Sequence, residues 1–140
     1  MLFRANDGTN GIELWKTDGT SEGTTLVANI AAGTANSNPS GFLILGNNVY
    51  FNATTGITVT GSELYKTDGT AAGTVLVKDI NTGTASSNPQ NLTKFNDSKF
   101  VFAANDGTTG VELYESDGTA TGTKIIKDYP STTGSISDIQ

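Results

Sequence analysis

ELWKTDGT at residues 13–20, ELYKTDGT at residues 63–70 and ELYESDGT at residues 112–119 decide how this chain is read. Each copy is followed by two variable residues and a second Gly-Thr, at Gly23-Thr24, Gly73-Thr74 and Gly122-Thr123. The copies are offset by 50 and then 49 residues. Self-similarity at a period of that size marks a repeat architecture, in which each unit is a small supersecondary piece that buries its faces only against its neighbours. The pattern therefore speaks first about architecture and only second about ligands.

Working outward from the middle copy gives one complete unit. Residues 41–45 (GFLIL) read as a short apolar strand, and the Gly-Asn-Asn that follows is a hairpin signal because these residues tolerate positive φ. Residues 49–53 (VYFNA) form a second strand and residues 62–67 (SELYKT) a third. The Asp-Gly-Thr turn leads to a fourth at residues 74–80 (TVLVKDI). The third unit repeats this at residues 92–95, 99–104, 111–116 and 124–129. The first unit lacks its opening strand, since residues 2–5 match the second strand of the others. The expected organisation is one repeat domain over residues 1–140. Its units are residues 1–40 (first strand missing), 41–90 and 91–134, with residues 135–140 (SISDIQ) placed as a closing strand for a sheet in this chain or in another copy.

Within the third strand of each unit, Leu14, Leu64 and Leu113 point one way while Trp15, Tyr65 and Tyr114 point the other. Large apolar groups on both faces describe a sheet that is covered on both sides, as in stacked propeller blades. Phe42, Phe51, Phe95, Phe100 and Phe102 are expected in the core on the same grounds.

The run G-x-E-L-W/Y-K-T-D-G-T-x-x-G-T-x-L-V-K-D-I, at residues 61–80, resembles the bacterial ELWxxDGT repeat. Residues 11–30 and 110–129 match it with small departures, and the preceding F-x-A-x-D-G-T-x-G of residues 3–11 and 102–110 belongs to the same repeat. The resemblance covers nearly the whole chain. It implies four-stranded β-propeller blades of the kind found in large secreted or surface-exposed bacterial proteins, usually in longer arrays, and it carries no defined catalytic activity. The second unit departs from the pattern. Thr54-Thr55-Gly56 replaces the Asn-Asp-Gly of the other two units, and the loop is two residues longer.

Propellers have four to eight blades, so three units require either a longer chain or a dimer or trimer that closes one ring. The competing all-β fold is a β-trefoil, which closes three such units in a monomer.

Composition sets the chemistry that is excluded. The chain has no His and no Cys, so a Ser-His-Asp triad, an HExxH zinc site, thiolate catalysis and disulfides are all ruled out. A net charge of −6 with only eight Lys and Arg disfavours nucleic acid and anionic membranes as partners. No apolar run is long enough to span a bilayer. Residues 1–4 show no signal-peptide pattern, so an export signal would lie outside this segment.

The candidate site residues each have a structural and a functional reading. Asp18-Gly19-Thr20, Asp68-Gly69-Thr70 and Asp117-Gly118-Thr119 are expected as structural turns. In these the carboxylate caps backbone amides, glycine takes positive φ and threonine supports the turn, much as in the Asp-box hairpins of other propellers. Calcium ligation is the alternative, with Glu13, Glu63 and Glu112 nearby. The better calcium candidates are Asp7 and Asp106, in Asn-Asp-Gly-Thr loops, although the spacing is not that of an EF-hand. Otherwise no cofactor is expected. Trp15, Tyr65 and Tyr114 could stack on sugars at repeated sites, or simply pack blades together. No asymmetric pair of acids stands out for glycoside hydrolysis. The expectation is a non-catalytic extracellular or cell-surface module for adhesion, scaffolding or ligand binding. A multivalent glycan-binding lectin is the alternative, and part of a carbohydrate-active enzyme the second.

Overall fold

The computed structural model describes residues 1–56, 59–128 and 139. These residues form three antiparallel sheets. The first contains β1 (Leu2–Asn6), β2 (Ile12–Lys16) and β3 (Thr25–Ala28). The second contains β4 (Ser40–Leu45), β5 (Asn48–Thr54), β6 (Ser62–Thr67) and β7 (Val75–Lys78). The third contains β8 (Gln90–Lys94), β9 (Phe100–Asn105), β10 (Val111–Ser116) and β11 (Lys124–Lys127). Each is a simple meander in chain order, and the first has no opening strand. The expected fourth strands at residues 74–80 and 124–129 are shorter than read, because the backbone leaves each sheet after Lys78 and Lys127.

The turns explain the registers. Gly46, at φ 59°, lets β4 fold directly onto β5 with Leu45 opposite Asn48. A bulge recurs between Leu14 and Trp15, Leu64 and Tyr65, and Leu113 and Tyr114. It inserts one extra residue in the facing strand, so that Val77 joins Leu64 in one apolar cluster. A second bulge in β4 and β8 places Gly41 (φ 69°) and Asn91 (φ 56°) in left-handed geometry at equivalent positions.

Two apolar cores separate the three sheets. Between the first and second, Leu14 and Val27 meet Phe51, Ala53 and Tyr65. Between the second and third, Tyr50, Leu64 and Val77 meet Phe100, Phe102 and Tyr114. The middle sheet is thus buried on both faces, while each outer sheet has one face that no other described sheet covers. Leu14 and Leu64 are fully buried but Leu113 is only half-buried; Tyr65 and Tyr114 are buried but Trp15 is half-exposed. The two-sided burial read from the sequence holds for the middle sheet and fails at the outer faces, because nothing among the described residues packs there.

Two of the five phenylalanines expected in the core are not in it. Phe95 is 69% exposed in the turn after β8, and Phe42 is 40% exposed in the β4 bulge, although its ring still touches Phe51 at 5.6 Å. The bulge and the turn take these two out of the strict alternation that the expectation assumed. Phe51, Phe100 and Phe102 are fully buried.

Among the described residues no strand of one sheet pairs with a strand of another. The units meet through their faces rather than through the shared barrel that a trefoil would need. No helix among those residues is long and apolar enough to cross a membrane. The closing strand expected at residues 135–140 lies outside the described residues except for Ile139, whose carbonyl accepts the Thr93 hydroxyl of β8 at 3.5 Å.

Candidate functional site

The Asp-Gly-Thr turns have one geometry, built three times. The Oδ1 atoms of Asp18, Asp68 and Asp117 each accept the amide of the following threonine at 2.9 Å. They also accept its hydroxyl, at 2.6–2.7 Å. The hydroxyls of Thr20, Thr70 and Thr119 in turn accept the amides of Gly23, Gly73 and Gly122. A Cβ on any of those three glycines would collide with the aspartate carboxylate, which explains the second Gly in every copy of the motif. Hydrogen bonds from the threonine hydroxyl first, and from its amide second, hold all three carboxyls below their ordinary pKa of 3.8.

The glutamates face inward. Glu13 is fully buried and accepts the amides of Ile30 and Ser37 and the Ser37 hydroxyl, the last at 2.6 Å. Glu63 repeats this with Ile80, Ser87 and the Ser87 hydroxyl. Burial pushes the Glu63 carboxyl above its ordinary value, against the pull of those donors. Glu112 is likewise fully buried. Ser37 and Ser87 also accept, through their carbonyls, the amides of Thr54 and Asn105 in the next sheet. Each of these glutamate–serine pairs therefore ties one sheet to its successor. The sequence shows the serines only as part of a polar loop, since their partners lie 24 residues away.

A second link is missing from the sequence reading. Lys16 donates to the Gly69 carbonyl, and Lys66 to the Gly118 carbonyl, each at 3.0 Å. One sheet's lysine thus grips the next sheet's Asp-Gly-Thr turn. The third copy has Glu115 at this position, bound by Lys99 at 2.9 Å and Lys124 at 3.4 Å. The sequence signal was the K/K/E change within the motif.

The calcium candidates are self-contained turns. Asp7 Oδ1 accepts the amides of Thr9 and Asn10, and its Oδ2 accepts the Asn10 side chain. Asp106 Oδ1 accepts the amides of Thr108 and Thr109 and the Thr109 hydroxyl. Amide donation, from Asn10 first, lowers the Asp7 carboxyl; at Asp106 partial burial works upward and the Thr109 and Thr108 amides outweigh it. No cluster of three or more acids suited to a metal occurs among the described residues. Each loop brings a single carboxylate, whose Oδ1 already accepts turn amides.

The aromatic candidates divide. Tyr65 (4% exposed) and Tyr114 (3%) sit in the two cores, packed on Phe51 and Phe102, and offer no open ring face to a sugar. Trp15 alone of the three is not fully buried, although its indole nitrogen is itself buried. The clefts are shallow and lie between sheets. One of about 610 Å³ runs between β1 and the β4–β5 hairpin, lined by Met1, Leu2, Lys16, Asp18, Ile44 and Val49. Another of about 300 Å³ is lined by Lys78, Asp106, Tyr114 and Lys124.

Comparisons with known proteins return no matching family model, no matching curated protein and no matching solved structure. The ELWxxDGT resemblance rests on the motif residues themselves.

Proposed function

We propose that this chain is a non-catalytic module of propeller-type blades, serving adhesion, scaffolding or ligand presentation at the bacterial cell surface or outside the cell. One observation carries the reading. The polar residues that recur in every copy are spent on the fold: the aspartates on turns, and Glu13 and Glu63 on joining sheets. A catalytic acid or base is placed by the substrate cleft it serves, whereas Glu13 and Glu63 are fully buried and the Oδ1 of each aspartate is held by its own turn. The extracellular setting comes from the ELWxxDGT resemblance. Calcium is not needed for folding in this reading, because turn amides already hold the Oδ1 atoms of Asp7 and Asp106.

The test is a panel of chromogenic glycosides and esters run on the folded chain, alongside thermal melts with calcium and with a chelator. The expected result is no turnover and one melting temperature in all conditions. Turnover abolished by a single acid substitution that leaves the melt unchanged would overturn the reading.

A lectin is the second reading, favoured only by the incomplete burial of Trp15. Binding on a glycan array that Trp15→Ala removes without loss of fold would establish it.

A further inference from the structure

Among the described residues, the outward face of the first sheet is a socket with no plug. Phe3 pairs across the strands with Trp15, as Phe51 does with Tyr65 and Phe102 with Tyr114. With Ala5, Ala53 and Ala104 these make three equivalent apolar trios. The trio of sheet two receives Leu14 and Val27 from sheet one, and that of sheet three receives Leu64 and Val77 from sheet two. In the first sheet Phe3, Ala5 and Trp15 are all half-buried, and no sheet among the described residues covers them. The outward face of the third sheet carries the matching plug. Leu113 stands where Leu14 and Leu64 stand. Ile126, 49% exposed, stands where Val27 and Val77 stand.

We infer that the plug face of one copy, Leu113 and Ile126, docks head-to-tail on the socket face of a second copy, Phe3, Ala5 and Trp15. This inference rests on reading the units as stacked blades. The molecule contains this interface twice already, so the geometry that seats Leu64 and Val77 on Phe102 and Tyr114 serves the third junction too. The gripping lysine of the other junctions is replaced here by Glu115, and the positive charge comes instead from its two neighbours. Lys99 and Lys124 flank Glu115 on the plug side, and their side chains remain 40% and 64% exposed. The socket sheet presents the acidic Asp18 and Glu22 turn at the place where the other junctions receive a lysine. A head-to-tail contact uses two different patches and closes a ring or continues as an open stack, unlike a two-fold contact, which uses one patch twice.

The experiment is light scattering behind a sizing column on the full chain and on two variants, Ile126→Glu (plug) and Trp15→Glu (socket). Ala5→Glu replaces the second if circular dichroism shows that it is unfolded. The wild-type chain is expected to self-associate, and each variant alone to run as a folded monomer. An equimolar mixture of the two is expected to recover a two-chain species, because one intact plug and one intact socket remain between them. A wild-type chain that stays a folded monomer at every concentration overturns the inference and leaves the scaffold reading standing. One variant that stays associated while the other does not points to a two-fold contact, and also overturns it. Enzymatic turnover would instead sink the scaffold reading without touching this one.

Discussion

At the scale of single residues, the motif acidic groups divide by burial, and pH exposes the division. Asp18, Asp68 and Asp117 have carboxyls held below 3.8, so their stabilising contribution is present above that value and is lost as pH falls through the lowered pKa. Glu63 has the opposite sign. Its carboxyl is raised above 4.5 by burial, so the protonated form favours the fold; that contribution is present below 4.5 and is lost as pH rises through the raised value. Urea unfolding across the acid range should therefore show a weaker loss of stability below pH 3.8 for Asp68→Asn than for the parent chain. Glu63→Gln should flatten the dependence just above pH 4.5. Glu63→Ala is a different matter, because it strands the buried amides of Ile80 and Ser87; we expect a loss on the order of 3 kcal/mol by chemical denaturation. The turn role of the aspartates was legible because Asp-Gly-Thr is a local pattern whose donors lie two residues away. The partners of Glu13 and Glu63 were not, since no local rule names a serine 24 residues downstream.

At the scale of elements, the same motif position has a different value in each strand. Leu64 on β6 is fully buried between two sheets, whereas Leu113 on β10 is half-buried on an outer face. Leu64→Ala should cost roughly 2–5 kcal/mol by urea denaturation, and Leu113→Ala clearly less in the monomer. Similar costs for the two would mean that the outer face is covered. Strand alternation and turn chemistry predicted the strands themselves, with errors where a bulge interrupts the period, as at Phe42, or where a turn begins early, as at Phe95. Alternation assumes an unbroken pleat, and a bulge shifts every residue beyond it by one face.

At the scale of the whole molecule, stability should grade inward. Among the described residues each sheet shares an apolar core only with its neighbour, so the middle one shares both cores and the outer ones have a single core each. Native-state hydrogen exchange should find the slowest amides in β5 and β6 and the fastest in β1 and β11. Uniform protection would mean one undivided cooperative core. The chain by itself determined the all-β class, the succession of three antiparallel sheets and the absence of His and Cys side chains, because these depend on local period and composition. Only the tertiary structure decided which faces are covered, that Glu13–Ser37 and Lys16–Gly69 tie adjacent sheets, and that Tyr65 and Tyr114 are enclosed while Trp15 is not. Those outcomes depend on what lies across a gap between sheets, where partners are far apart in sequence and identical motif residues meet different surroundings.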